Sequence, residues 1–322
     1  MTSIVGSKEF SLEHIPSRNY NFAYKCWESE VYYNDNGLRQ YLSNPEGYKI
    51  ALLGDSMIEN AQLSDGEDIG SLLQKKLGDN FEVTNFGILS TGIYDHFKIY
   101  KQKISKNYDF LIYFPDPTDI DDNHISRNRP IQNMFQIIDN KINKVAYDDV
   151  FWKNYFSNYN KIKREYFFYI KKYSNTYKVY WSIKEKIFNL KADRTKNNEN
   201  FKTKVENLSE PMLIYEYFAK KFINELENDK LNYLVVPSLK PSLFEESKFE
   251  KFKYDYIKDI WGINEQNTQA DPYTSAIKFM KERESFNFPY LSWKCDGHYA
   301  HMGADFLSTY TYEHLKDFND FK

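Results

Sequence analysis

The sequence predicts an α/β protein, a three-layer α/β/α sandwich around a central parallel sheet, and three observations carry that expectation. Short apolar runs at Ile50–Leu53, Phe81–Phe86, Phe110–Phe114 and Leu231–Val236 have strand length and end in turn residues. Stretches with apolar residues at helical spacing lie between them, from Ile69 to Leu77 and from about Ile93 to Ser105. Strands that alternate with helices at this spacing pair in parallel, because a parallel crossover needs a helix-length connection.

Each element follows from local chemistry. Ile50–Leu53 is a continuous apolar run, as expected for a strand covered on both faces, and it breaks off in Gly54-Asp55-Ser56. Gly78, with Asp79-Asn80 behind it, stops the Ile69–Leu77 helix. Phe81–Phe86 stops at Gly87, and Phe110–Phe114 is broken by Pro115 and Pro117. A helix from Met212 to Asn228 precedes Leu231–Val236, which stops at Pro237-Ser238, and helical material follows to Glu284. Phe286–Leu291 reads as an extended approach to a last helix from about Gly303 to Asp317.

Outside this pattern, residues 1–30 lack a sustained period and are expected as an arm laid over the body. Val31-Tyr32-Tyr33 reads as a short strand entering a turn at Asn34-Asp35-Asn36-Gly37. Residues 150–204, rich in Lys, Tyr, Phe and Asn, read as a helical insertion in a single domain spanning 1–322. Such an insertion either overhangs the site or serves as a scaffold.

Composition excludes several function classes. The 322 residues carry a net charge of -3, so no global basic field points to nucleic acid or to an anionic membrane. No run approaches the roughly 18 apolar residues of a membrane span, and residues 1–30 hold no apolar core behind basic residues. The expectation is a chain that is cytoplasmic as it stands, with no signal peptide and no membrane span. Cys26 and Cys295 make no disulfide framework and are expected as free buried thiols. Aromatic residues form 18% of the chain, with 28 Tyr and 25 Phe; core packing and biased composition account for them, and so would a surface that stacks on sugars. No ligand spacing for a metal and no glycine-rich phosphate loop is present, so no metal and no cofactor is expected and phosphoryl transfer is disfavoured.

In parallel sheets the functional groups collect beyond the carboxyl ends of the strands. Here those stretches are Gly54-Asp55-Ser56, Gly87 to Gly92, and Asp116 to Asn123. Ser56 is the candidate nucleophile, and a serine needs a base within hydrogen-bond reach and donors for the oxyanion it creates. Of the six histidines, only His298 has a carboxylate, Asp296, two residues away across a glycine turn. His301 competes with it, although as a capping or solvated residue near the last helix it needs no further role. Asp116, Asp119, Asp121 and Asp122 crowd one loop and read as solvated carboxylates or helix caps.

Gly54-Asp55-Ser56-Met57 and Asp296-Gly297-His298-Tyr299, taken together, resemble the end blocks of the SGNH hydrolase superfamily, also called GDSL-type esterases. The second block is similar to the Asp-x-His-Trp form of members that act on or acylate polysaccharides. Asn34-Asp35-Asn36-Gly37-Leu38-Arg39 resembles the Asn-x-x-Gly-Phe/Leu-Arg element that precedes the first block in some members. The resemblance covers roughly residues 30–125 and 205–315 and leaves the insertion unexplained.

What it implies is a flavodoxin-like sandwich and acyl transfer on a carbohydrate or acylated glycan. Ser56 would form the acyl-enzyme, with His298 as base and then acid, and Asp296 orienting it. The implied oxyanion donors are Ser56, Ser90 or Gly92, and Thr118, and the implied substrate contacts are Asp55 and Arg39. Two positions depart from the family pattern: Ser90 stands where a donor glycine is usual, and Thr118 where an Asn is. A threonine hydroxyl donates one hydrogen bond and is shorter than an Asn amide. The implied function therefore divides into an O-acetyl esterase, an O-acetyltransferase that needs an acyl donor, and a glycan-binding or assembly protein with weak or no catalysis.

Overall fold

The computed structural model describes residues 4–7, 11–41, 44, 46–125, 133–145, 201–244, 247–263, 271–282, 291–293 and 295–321. The chain divides into two compact units, one of residues 146–209 with Met1 and one of 2–145 with 210–322. In the smaller unit only 201–209 is described, so nearly all of the expected insertion lies outside the described residues, as does most of the expected extended run at 286–291.

The larger unit begins with two antiparallel pairs, β1 (Ile4–Ser7) with β2 (Ser11–His14) and β3 (Arg18–Tyr24) with β4 (Trp27–Tyr33). Residues 1–30 thus carry strands, which corrects the expectation of an arm without a period. In β4 the buried positions are Ser29, Val31 and Tyr33, so an alternation is present, but one of its inward residues is a serine that an apolar count passes over.

The central sheet is built from β5 (Arg39–Gln40), β6 (Tyr48–Gly54), β7 (Phe81–Asn85), β8 (Phe110–Phe114) and, after the hairpin of β9 (Met134–Ile138) and β10 (Lys141–Val145), β11 (Asn232–Val235). Its order is β11-β8-β6-β7-β5. β6 pairs in parallel with both β7 and β8, β11 is parallel to β8, and only the short edge strand β5 runs antiparallel. The helices are α1 (Ser56–Glu59), α2 (Ile69–Leu77), α3 (Ile93–Ile99), α4 (Asp119–Asp122), α5 (Phe201–Asn207), α6 (Ser209–Asp229), α7 (Pro241–Phe244), α8 (Lys248–Ile260), α9 (Pro272–Glu282) and α10 (His301–Leu315). The helix expected to reach Ser105 does continue past α3, but Tyr100–Ile104 is wound as a π-helix.

Alternate side chains of the strands face two helical layers. Ile50, Leu52, Phe110, Ile112 and Phe114 share one core with Ile69 and Leu73 of α2 and Leu307 and Leu315 of α10. On the other face Tyr113 packs on Phe222 of α6 and on Trp261, and Phe222 also meets Tyr100. The result is a three-layer sandwich whose middle strands are buried on both faces, which explains why they read as unbroken apolar runs. Because β7 and β8 lie on opposite sides of β6, the chain reverses direction across the sheet at the carboxyl end of β6. A crevice opens at such a point in an open α/β sheet, and Ser56 stands there.

Candidate active site

The serine is presented by a turn whose parts are all specified locally. β6 ends at Gly54, level with Phe114 of β8, and Asp55 has extended backbone angles and accepts from Met57 N at 2.8 Å, capping the single turn of α1. Ser56 is therefore the first helical residue, and a first helical N–H has no partner within its helix. Its side chain is only partly covered, unlike those of its neighbours Asp55 and Met57.

His298 arrives from the far end of the chain. Leu291–Trp293 and His298–Ala300 run past one another, joined by Trp293 N to His298 O at 2.8 Å and Ala300 N to Leu291 O at 3.0 Å. Between them Gly297 takes φ 79°, which closes a tight turn that a side chain would resist. Tyr299 fastens this loop to the sheet by accepting Leu239 N at 2.8 Å, while its carbonyl accepts Asn60 Nδ2 at 3.3 Å. His298 Nε2 then lies 2.9 Å from Ser56 Oγ.

Asp296 Oδ1 accepts the His298 backbone N–H at 3.0 Å and stands 3.4 Å from Nδ1 of the same ring. That carboxylate favours the tautomer with its proton on Nδ1, leaving Nε2 to accept from the serine. The separation is longer than a settled hydrogen bond, so the pair meets chiefly as charge and dipole. Burial pushes the His298 pKa down, but the hydrogen bond and charge of Asp296, with the charges of Asp55 and Glu59, outweigh it, and the net shift is upward. Asp296 moves the other way: burial raises it, yet the His298 contacts and the Trp27 indole bring it below the usual carboxylate value.

The second loop, after β7, is packed directly on α1. A Cβ on Gly87 would stand 2.2 Å from Glu59 N, so this approach requires glycine. Asn85 Nδ2 donates to Ile58 O at 2.6 Å, and Leu89 N donates to Glu59 Oε2 at 2.7 Å. Thr91 N reaches Ile88 O at 3.4 Å across a turn in which Ser90 takes φ 63°, the left-handed conformation that glycine adopts most readily. Ser90 therefore holds a backbone shape more usual for glycine. Gly92, the neighbouring candidate, spends its N–H on Asp95 Oδ2 at 3.3 Å at the start of α3.

The third loop differs most from expectation. Asp116 and Asp119 are fully buried rather than solvated, because the loop folds inward on itself: Asp116 N donates to Asp119 Oδ2 at 2.9 Å. Thr118 donates both its N–H, at 2.8 Å, and its hydroxyl, at 2.6 Å, to Asp116 Oδ1. The one proton of that hydroxyl is thereby engaged, which corrects the expectation that it faces an oxyanion. Lys240 completes the group, 2.7 Å from Asp116 Oδ1 and 3.1 Å from Thr118 Oγ1. Burial alone would raise Asp116, but Lys240 and the Thr118 donors hold it below the ordinary value, while burial next to Asp116 pushes Asp55 up to about 7. Lys240 carries no motif of its own; its one signal in the sequence is its place just beyond the carboxyl end of β11, where a parallel sheet gathers such groups.

Three further expectations are corrected. Arg39 does not face a ligand; its guanidinium is buried, bonded to Asp65 and Asp68 and donating to the carbonyls of Glu59, Asn60 and Leu63. It organises the segment that follows the serine. Asp55 likewise turns inward as a cap and is 4% exposed. His301 pairs with Glu67 at 3.3 Å and stays apart from the serine, and the two cysteines, instead of being free, form a Cys26–Cys295 disulfide. Beside it, Trp27 Nε1 donates to Asp296 Oδ2 at 2.6 Å.

No protein-family model matches this chain, and no curated protein is similar to it. Among solved structures, an acetylxylan esterase from Geobacillus stearothermophilus is 11% identical with a TM-score of 0.43, the match covering 84% of this chain and 96% of that one. The acetyl xylan esterase AlAXEase is 13% identical with a TM-score of 0.45, covering 82% of this chain and 98% of that one. The lipase/acylhydrolase from Enterococcus faecalis is 11% identical with a TM-score of 0.43, covering 84% and 96% respectively. Among the described residues no helix is long and apolar enough to cross a membrane.

Proposed function

We propose that this chain is an SGNH-type O-acyl esterase of carbohydrates, working through an acyl-enzyme on Ser56. The observation that carries the reading is the 2.9 Å approach of His298 Nε2 to Ser56 Oγ, with Asp296 behind the ring. In this scheme Ser56 Oγ attacks the acyl carbonyl carbon as its proton passes to Nε2. The tetrahedral oxyanion is met by the backbone N–H groups of Ser56 and Ser90. Collapse breaks the ester bond, and the imidazolium returns the proton to the departing sugar oxygen. Water then attacks the acyl-enzyme by the same path in reverse, which frees the acid and Ser56. A sugar hydroxyl in place of water would make the same residues an O-acyltransferase fed by an acyl donor.

The carbohydrate assignment is supported by the likeness of Asp296-Gly297-His298-Tyr299 to polysaccharide-acting members of the superfamily. The disulfide supports work in an oxidising compartment, in place of the cytoplasmic setting expected from the sequence.

Incubation with a chromogenic acetyl ester, followed by mass spectrometry of the protein, tests the reading. Turnover and an acetyl adduct on Ser56 are expected, with both lost in Ser56→Ala and the rate falling by roughly a thousandfold or more. A wild-type chain with neither turnover nor adduct overturns it. The second reading, a glycan-binding or assembly protein, draws on the engagement of Gly92 N–H and the Thr118 hydroxyl, which removes two of the expected oxyanion donors. Under that reading Ser56→Ala leaves glycan retention unchanged.

A further inference from the structure

We infer that Trp27 is a positioning residue for Asp296 and that the Cys26–Cys295 disulfide keeps it in place, making the β3–β4 hairpin a working part of the site. The inference rests on the acyl-transfer reading of Ser56 and His298. Asp296 has two carboxylate oxygens with separate tasks: Oδ1 serves His298, and Oδ2 accepts the Trp27 indole N–H at 2.6 Å. A carboxylate held by donors on both oxygens cannot rotate about its Cβ–Cγ bond without losing one of them. The plane that faces Nδ1 is thereby fixed from outside the loop that carries it.

The donor comes from a segment 269 residues away, and the covalent link joins the immediately preceding residue of each partner. Trp27 and Asp296 are only part-buried, where water competes for both groups. A crosslink one residue away raises the effective concentration of the indole at the carboxylate, so the contact is made most of the time. The hairpin is itself anchored on the nucleophile side. Ser29 Oγ donates to Ala61 O at 2.5 Å, Asp65 N to Glu30 O at 3.1 Å, and Tyr33 OH to Glu59 Oε1 at 3.1 Å. β4 therefore spans from the segment behind Ser56 to the carboxylate behind His298.

The charged groups that act on His298 are Asp296, Asp55 and Glu59, and only Asp296 is touched by changes at Trp27 or the disulfide. The test is a nitrogen NMR titration of His298, with ester kinetics alongside, in wild type, Trp27→Phe, the double variant Cys26→Ser/Cys295→Ser, and all three changes together. Phe keeps the ring and removes the donor. Trp27→Phe should lower the His298 midpoint, because a free Asp296 raises it less, and lower kcat by about tenfold with KM within about twofold. The cysteine variant should shift the midpoint in the same direction by less. The triple variant should go no further than Trp27→Phe alone, since both routes act through one hydrogen bond.

A folded Trp27→Phe with the wild-type midpoint and kcat overturns the inference, as do effects that multiply. Should Trp27→Phe fail to fold, an unchanged His298 midpoint in dithiothreitol-reduced wild type overturns it instead. The midpoint is read without turnover. A wild type that forms no Ser56 adduct would therefore count against the acyl-transfer reading alone.

Discussion

Asp296 and Asp55 flank the same serine, and their surroundings drive them in opposite directions. Asp296 receives the Trp27 indole N–H and the His298 backbone N–H and faces the imidazole, and its pKa falls below the usual carboxylate value. Asp55 receives one backbone donor, from Met57, and lies close to Asp116, and burial with that neighbour pushes it up to about 7. Burial raises both, but Asp55 is the more deeply buried and receives fewer donors, so depth, donors and the sign of the neighbours together decide the charge. The wall behind His298 is set to hold a negative charge, while the floor beneath Ser56 is set to resist one. Lys240 is the exception on the floor, where its ammonium keeps Asp116 ionised.

The most damaging way to break this contrast is to remove the charge at Asp296 and leave its shape. Asp296→Asn still accepts from Trp27, but an amide neither stabilises an imidazolium nor favours the productive tautomer. The acetyl-ester kcat should fall by roughly a thousandfold or more at neutral pH, with the fold intact by circular dichroism. A loss below tenfold would show that Asp296 acts only as a spacer.

On the floor, Lys240→Met removes the cation paired with Asp116 and leaves that carboxylate buried without it. Breaking a buried pair from one side costs about 3–5 kcal/mol, and the lower end applies because the Lys240 side chain retains 20% exposure. Urea unfolding should show a loss near 3 kcal/mol, and adding Asp116→Asn should restore most of it. A loss under about 1 kcal/mol would mean that the Thr118 donors alone hold Asp116.

The contrast also explains what could be read in advance. The approach of His298 to Ser56 could be anticipated because a buried strand ends in a turn at Ser56, and because Gly54-Asp55-Ser56 and Asp296-Gly297-His298 together resemble the end blocks of one superfamily. The sheet was legible because strands covered on both faces announce themselves as apolar runs. The supports of the site were not. A buried arginine that holds loop carbonyls, as Arg39 does, has the same letter as one that binds a substrate. The buried Asp116 is paired with Lys240, which follows a different strand, and the Trp27–Asp296 bond joins opposite ends of the chain. The cysteines pair across the same distance, which no local spacing encodes.

The smallest expected effect sharpens the contrast at Asp55, where the sign can be worked out. Its folded pKa, about 7, lies above the ordinary 3.8, so between these values the folded chain binds a proton that the unfolded chain has released. The free energy of unfolding therefore falls as pH rises from about 4 to about 7, by at most about 4 kcal/mol at 1.36 kcal/mol per pKa unit, and levels off above. Asp119, whose carboxyl is pushed well above its ordinary value by burial and by Asp55, titrates alongside it, so the part that follows Asp55 alone is smaller than this bound. Asp55→Asn keeps an oxygen to accept from Met57, and asparagine caps helices as well as aspartate does. The stability of Asp55→Asn minus that of wild type should accordingly rise between pH 4.5 and pH 8, by less than about 4 kcal/mol, with no further rise at higher pH. A difference that stays flat across this range in matched urea titrations would place Asp55 with Asp296, as a carboxylate whose single donor suffices to keep it charged.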